Sequence, residues 1–209
     1  MVVTFCRNNR TDKFGSQTHL FGNPINPCDM PFGTYNTPEA ALSNAIRVYQ
    51  ETGADAVKIE GGKPKAAIIE RLSGEGIAVC GHIGLLPQSV RGEGGYKVKG
   101  KDEANALALI EDAKAVETAG AFCLVIEGVK ADVAERVARA VGIPVIGIGA
   151  GSAVDGQVLV FSDMLGLYEP FVPKFVKQYL DGAAEVKAAV ETYKADVQSR
   201  AFPAQEHTY

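Results

Sequence analysis

The 209-residue sequence lacks three features that would each have assigned it to a broad class of protein. No apolar stretch approaches the ~20 residues of a membrane-spanning helix, so no membrane partner is expected. No run of basic residues occurs, and the net charge of -4 argues against a nucleic-acid partner. The first residues also lack the long apolar stretch of a secretory signal. These absences predict a cytoplasmic protein, with a mitochondrial location as the alternative for a eukaryotic source.

Cysteine is also scarce. The four cysteines, at positions 6, 28, 80 and 123, show no metal-ligand spacing, and two of them lie in apolar, strand-like runs. We therefore predict reduced core thiols in a reducing compartment. An apolar content of 46% and a charged content of 22% are those of an ordinary globular protein, and the length suits one domain with a substantial core.

Helix-like and strand-like segments alternate from about residue 38 onward. The pattern predicts helices at about 38–52, 64–74, 102–119, 130–141, 173–180 and 182–199. It predicts strands ending near 60, 82, 127, 148 and 161, and a long glycine-rich loop over 83–101. Because no hairpin signals separate the strands, they are expected to be parallel and joined by right-handed crossovers. The fold class is therefore α/β, either an open doubly wound sheet or a (β/α)₈ barrel.

Charged side chains end several of these predicted strands. Lys58 and Glu60 stand two positions apart, which places both on one face of a strand. His82 and Glu127 end two later strands, and active-site groups of a (β/α)₈ barrel occupy such positions. The glycines of 147–151 do not match the spacing of a dinucleotide-binding loop, which argues against the doubly wound alternative. We therefore favour the barrel.

These four side chains, with Asp29 as a further candidate, can converge at one mouth of the barrel. Two neighbouring carboxylates suit a hard cation such as Mg²⁺, a lysine can balance a substrate carboxylate, and another carboxylate can act as a general base. Simpler interpretations remain open from the residues alone. Lys58 and Glu60 can form a surface salt bridge, His82 can be a core histidine bonded to a backbone carbonyl, and Asp29 can be a turn residue.

The motifs together resemble the ketopantoate hydroxymethyltransferase family. The matching stretches, in chain order over about 29–209, are Asp29-Met-Pro-Phe-Gly33, Gly53 to Gly62, Gly81-His-Ile-Gly-Leu-Leu-Pro-Gln-Ser-Val90, Gly94-Gly-Tyr-Lys-Val98, Gly120 to Glu127, Gly147 to Gly151, Asp155 to Val158, Asp163 to Leu167, and the tail around Phe202 and His207. So many motifs in the same order make chance similarity very improbable.

The resemblance implies a (β/α)₈ barrel of the TIM type over 29–209, assembled into a homo-oligomer such as a decamer. It implies transfer of a hydroxymethyl group from 5,10-methylenetetrahydrofolate to 3-methyl-2-oxobutanoate, giving 2-dehydropantoate for pantothenate synthesis, with Mg²⁺ bound. By motif, Asp29 and Glu60 match metal-site carboxylates, and Glu127 matches the proton acceptor. Lys58, Asp29 and His82 match substrate-pocket residues.

Residues 1–28 do not match the front of the family, where two further strands and a Gly-Asp-Ser motif occur. We therefore expect an irregular, non-family segment over 1–28, a barrel that lacks its first two strands, and an impaired metal site. Pro24 and Pro27 disfavour a strand leading into Asp29, whereas Val2 to Cys6 is a candidate strand. Two alternatives to an active transferase are a catalytically dead subunit of the oligomer and another Mg²⁺-dependent ketoacid lyase or mutase.

Overall fold

A computed structural model describes residues 2–5, 26–168 and 171–209 of the chain. The chain divides into two compact units, one of Val3–Val158 and a smaller one formed mainly by Leu159–Tyr209. The larger unit carries the sheet and all the predicted site residues. No helix in the described ranges is long and apolar enough to cross a membrane.

In the described part of the chain, seven strands form one sheet. They are β1 (Val2–Phe5), β2 (Pro27–Asp29), β3 (Ala56–Glu60), β4 (Val79–Gly84), β5 (Cys123–Glu127), β6 (Val145–Ile148) and β7 (Gly156–Leu159). Their order is β1-β7-β6-β5-β4-β3-β2, and each neighbouring pair from β2 to β7 is parallel. From β2 to β7 the spatial order follows the chain order, as in a (β/α) barrel, whereas a doubly wound sheet reverses direction. The sheet stays open, with β1 and β2 at its edges. The predicted fold, an incomplete α/β sheet of the barrel type, is confirmed.

Among its described residues, the larger unit contains five α-helices. They are α1 (Pro38–Glu51), α2 (Ala66–Gly74), the short α3 (Val90–Glu93), α4 (Glu103–Thr118) and α5 (Ala131–Ala140). Helix α1 begins as the sequence predicts, because the Thr37 hydroxyl accepts a hydrogen bond from the backbone N–H of Ala40 at 3.2 Å. Asp102 caps α4 in the same way through the backbone N–H of Asn105.

The main core lies between one face of the sheet and these helices. Buried strand residues such as Ile59, Val79 and Leu124 belong to the same hydrophobic cluster as Leu72 of α2 and Val116 of α4. A second, smaller cluster covers the opposite face of the sheet and consists of Cys80, Val125, Ile146, Ile148 and Val158. By strand alternation and register, this second face also carries the side chains of Lys58, Glu60, His82 and Glu127.

Two local predictions near the strands are wrong. Pro27 does not prevent a strand, because it is the first residue of β2 at the edge of the sheet, where a missing N–H is tolerated. The segment 83–101 is not wholly a loop, since it contains a 3₁₀ turn at Pro87–Ser89, then α3, and a parallel bridge between Lys99 and Val129. The candidate strand near the N-terminus is present as β1. The other residues of 1–25 lie outside the described part of the chain.

The smaller unit contains α6 (Phe161–Met164) and α7 (Gly182–Ser199). The prediction of α7 is confirmed, whereas the predicted helix at 173–180 is wrong. In that segment the backbone N–H of Tyr179 donates to the carbonyl of Met164, and just after the segment the N–H of Gly182 donates to the carbonyl of Leu165. The first of these non-local hydrogen bonds takes an N–H that a helix over 173–180 would have bonded locally. Downstream of α7, the Phe202 ring packs edge-on against Tyr193.

Candidate functional site

Lys58 and Glu60 lie on β3 and are both buried, with 9% and 7% of their surfaces exposed. This burial excludes the surface salt bridge that the sequence had left open. The Lys58 ammonium lies 2.5 Å from a carboxylate oxygen of Asp29, which is its register partner on β2. The Asp29 side chain is 57% exposed, so the lysine charge is buried while its partner remains accessible to a ligand.

His82 lies between two carboxylates at the end of β4. Its Nδ1 is 4.0 Å from Glu60 Oε1, and its Nε2 is 3.3 Å from Glu127 Oε2. The residue is 1% exposed, and within the described part of the chain neither nitrogen makes an aligned hydrogen bond. A buried polar group without a hydrogen bond costs about 1–3 kcal/mol. His82 is therefore not a core histidine bonded to a backbone carbonyl, and both of its ring nitrogens are left to interact with the neighbouring carboxylates or with a ligand.

Glu127 ends β5, and its position depends on a glycine of the neighbouring strand. Gly84 pairs with Glu127 in register and has a φ of 94°, and a Cβ at Gly84 would lie 2.4 Å from the Glu127 carbonyl oxygen. The next N–H, that of Leu85, donates to the same oxygen at 2.8 Å. A glycine is therefore required where the strands approach, and the approach holds the Glu127 backbone beside Gly84, two positions beyond His82 on β4.

Two residues of the site, Gln88 and Tyr35, were not predicted from the sequence. The backbone N–H of Gln88 donates to Glu60 Oε2 at 3.0 Å, and its side-chain amide contacts Tyr35 and the backbone of Met30. Burial, and then the negative charge of Glu60, raise the pKa of Tyr35 to about 12. Gln88 lies within a stretch that carries the family resemblance, but no residue pattern indicates that a loop amide reaches two strands away.

The predicted metal ligands are only partly grouped. Among residues 26–168 and 171–209, no three His, Cys, Asp or Glu side chains are arranged to hold a metal ion. Asp29 is the register partner of Lys58, and Glu60 lies two positions further along the same face of the neighbouring strand β3. Two carboxylates in one neighbourhood are the hard oxygen ligands that Mg²⁺ uses together with water and substrate oxygens. The donor set therefore fits Mg²⁺ without completing its coordination shell.

Two other features of the larger unit are a pair of cysteines, of which Cys80 is the register partner of Lys58, and a separate surface cleft. Cys80 and Cys123 are adjacent in register on β4 and β5, and a hydrogen bond with Cys80, followed by burial, raises the pKa of the Cys123 thiol well above its usual value. Both are free thiols, as predicted, but the raised pKa argues against reactivity. A surface cleft of about 420 Å³ is lined by α2 and α4 residues such as Glu70, Glu111 and Lys114, and by none of the predicted site residues.

Comparison with known proteins places these residues in a family context. A family model described as ketopantoate hydroxymethyltransferase matches residues 22–205. Over 182 residues the chain is 68% identical to a 3-methyl-2-oxobutanoate hydroxymethyltransferase of Sulfurimonas denitrificans, with 87% of this chain and 69% of the relative covered. Relatives with the same name from Wolinella succinogenes and Aliarcobacter butzleri are 61% and 60% identical over 181 residues, which cover 87% of this chain and 69% and 67% of the relatives.

Proposed function

Because the chain belongs to the ketopantoate hydroxymethyltransferase family, we propose that it transfers a hydroxymethyl group to 3-methyl-2-oxobutanoate, giving 2-dehydropantoate for pantothenate synthesis. The observation that carries the proposal is the row of Glu60, His82 and Glu127, in which the buried imidazole lies 4.0 Å from one carboxylate and 3.3 Å from the other. This arrangement offers a base next to a group that can hold a proton.

Lys58 would bind the substrate. Its ammonium is buried, and its one ionic contact in the described part of the chain is with the largely exposed Asp29 carboxylate, so the carboxylate of a ketoacid can approach it from the same side. A charge-assisted hydrogen bond in such a protected place is stronger than one on the surface. Asp29 would adjust as the ketoacid binds. This assignment agrees with the predicted roles of both residues.

Glu127 would remove the proton from C3 of the ketoacid. Its side chain is 17% exposed, so the carboxylate is accessible to substrate yet partly shielded from water. His82 contacts it and would keep it oriented toward C3. Water would hydrolyse the methylene bridge of 5,10-methylenetetrahydrofolate, and cleavage of its two C–N bonds would release tetrahydrofolate and formaldehyde. The enolate carbon would then add to the carbonyl carbon of formaldehyde, and the resulting alkoxide would take up a proton to become the hydroxymethyl group.

Asp29 and Glu60 would supply two oxygen ligands to Mg²⁺, and water and substrate oxygens would complete its shell. When bound, the ion would supply Lewis-acid polarisation of the keto oxygen. The folate would be a cosubstrate that is consumed in each turnover.

We also propose that the protein is a cytoplasmic homo-oligomer. Helix α7 exposes an apolar stripe of Val186, Val190, Tyr193 and Val197, each 44–60% exposed, at the spacing that places them on one helix face. Exposed stripes of this kind usually pack against another surface. Light scattering should show a multimer whose mass falls on Val190→Glu, whereas Ala195→Glu, on the opposite face, should leave it unchanged. Free thiols at Cys28, Cys80 and Cys123 suit a reducing cytoplasm.

Loss of the C3 proton tests the central step without folate. In D₂O with Mg²⁺, the protein should exchange the C3 hydrogen of 3-methyl-2-oxobutanoate for deuterium. The exchange is measured from the loss of the proton NMR signal of that hydrogen. Glu127→Gln should slow exchange by about 10²–10⁴-fold, the typical contribution of a general base. Glu70→Gln, an exposed carboxylate change on α2, is the matched control. Exchange by Glu127→Gln at the wild-type rate would disprove the role of this residue.

A second candidate, a subunit that assembles without turning over substrate, is favoured by the missing three-ligand cluster in the described ranges. The same experiments separate the two. A wild-type protein that forms the multimer but exchanges no C3 hydrogen would support the inactive subunit. Formation of 2-dehydropantoate from the ketoacid and methylenetetrahydrofolate, lost in Glu127→Gln, would support the transferase.

A further inference from the structure

The Gln88 side chain uses both ends of its amide. Its Oε1 accepts a hydrogen bond from the Tyr35 hydroxyl at 2.7 Å, and its Nε2 donates to the carbonyl of Met30 at 2.9 Å. The two bonds determine which end of the amide is oxygen, because the Met30 carbonyl can only accept. Tyr35 is buried, so its hydroxyl is not free to exchange this partner for water. The amide is therefore held in one orientation.

The same residue contacts the segments that carry both candidate metal ligands. Its backbone N–H donates to Glu60 Oε2 at 3.0 Å. Its amide holds Met30, which directly follows Asp29 and whose own N–H donates to the Lys58 carbonyl at 3.1 Å. Gln88 thus joins the end of β2 to the end of β3 from a loop that belongs to neither strand.

A purely local role does not account for these contacts. Gln88 lies in the 3₁₀ turn Pro87–Ser89, whose geometry is maintained by the backbone bond from the Ser89 N–H to the Leu86 carbonyl. That turn needs no glutamine side chain. The side chain instead anchors the turn to Met30 and Tyr35, and the anchored turn presents its N–H to Glu60.

We propose that Gln88 is a positioning residue that sets the Glu60 carboxylate relative to Asp29, and that Tyr35 acts through it by orienting the amide. The inference rests on the proposed function, in which these two carboxylates bind a divalent cation. Residues that hydrogen-bond to metal ligands typically change metal affinity about 10–100-fold when they are replaced. Gln88 makes such a hydrogen bond to Glu60 through its backbone N–H.

Binding of Mn²⁺, which shares the preference of Mg²⁺ for oxygen ligands, measures the effect without turnover. The concentration of free Mn²⁺ is measured from its electron paramagnetic resonance signal while the full-length chain is titrated with Mn²⁺. Gln88→Ala and Tyr35→Phe should each weaken Mn²⁺ binding about 10-fold or more. Gln88→Glu keeps the size of the side chain but loses the donor to Met30, so it should behave like Gln88→Ala. Gln50→Ala, an exposed glutamine of α1, should have no effect.

A double variant tests whether Tyr35 acts through Gln88. If it does, Tyr35→Phe combined with Gln88→Ala should bind Mn²⁺ no more weakly than Gln88→Ala alone. If each change instead loosened the fold independently, the two losses of Mn²⁺ affinity would add. Unchanged affinity in Gln88→Ala and Gln88→Glu, with weakened binding in Glu60→Gln, would overturn this inference and leave the metal assignment intact. Absence of Mn²⁺ binding by the wild type, or no effect of Glu60→Gln and Asp29→Asn, would overturn both.

Discussion

The contact between Gly81 of β4 and Val116 of α4 allows a quantitative test of how the site strand is held. A Cβ on Gly81 would lie 2.3 Å from Val116 Cγ1 and 3.3 Å from Leu124 Cδ1. Carbon atoms in ordinary contact are about 3.5–4.0 Å apart, so Gly81→Ala must push helix and strand apart by more than an ångström. Both partner side chains are fully buried, and overpacking of this kind costs about 1–3 kcal/mol.

A smaller residue at position 116 should relieve this clash. Val116→Ala alone deletes two buried methyl groups and should cost about 2 kcal/mol, which lowers the melting temperature by about 4–8 °C at this chain length. In the double variant, the new methyl of position 81 enters the space that Cγ1 vacates. The double variant should therefore cost only about 1–2 kcal/mol, less than the sum of the single changes by about 2 kcal/mol.

Urea unfolding followed by circular dichroism gives the four free energies of the cycle. Gly53→Ala is the matched control, because a Cβ at Gly53 meets no atom within 4 Å. Strictly additive effects, or a Gly81→Ala protein as stable as the wild type, would refute the argument. Since His82 follows Gly81 directly, displacement of β4 should also slow C3 hydrogen exchange, and the Val116→Ala change should partly restore it.

Three further outcomes are expected. Lys58→Met should raise KM for the ketoacid about 10–100-fold, because the charge-assisted bond to its carboxylate is lost, and should change stability little, since Asp29 is exposed. Because the pKa of Tyr35 is raised from 10 to about 12, the wild type should lose about 2 kcal/mol of unfolding free energy relative to Tyr35→Phe between those pH values. Thr37→Ala should lower the unfolding free energy by about 1 kcal/mol through loss of the α1 cap.

A separate experiment tests each of these three predictions. Steady-state kinetics test Lys58→Met, and an unchanged KM would remove Lys58 from the binding site. The pH dependence of urea unfolding tests Tyr35, whose protonated form is favoured by folding, so its contribution is complete below pH 10 and disappears as the pH rises. Parallel curves of unfolding free energy against pH for the wild type and Tyr35→Phe would contradict the raised pKa of Tyr35. Thermal unfolding tests Thr37→Ala, with Thr37→Ser as the variant that should retain the cap.

The sequence by itself determined the class of the fold and the strand positions of the charged residues. Alternating segments without hairpin signals require parallel strands, and the period of two places Lys58 and Glu60 on one face, because both rules depend only on local backbone geometry. Helix α1 was predictable for the same reason, since its cap and first-turn proline are adjacent in the chain. The helix expected at 173–180 does not form, because the backbone N–H of Tyr179 donates to the Met164 carbonyl, and such a non-local hydrogen bond cannot be recognised from the local pattern.

Only the tertiary structure decided how the charged residues are partnered. Whether Lys58 forms a surface salt bridge or a buried contact, and whether His82 is satisfied, depend on burial and on atoms from other strands. The contacts of Gln88 join β2, β3 and a loop separated by as many as 58 positions in the chain, and no spacing rule connects such residues. The residue types and their chemistry are local properties of the sequence. The distances that make them a site arise from parallel packing of strands that are remote in sequence.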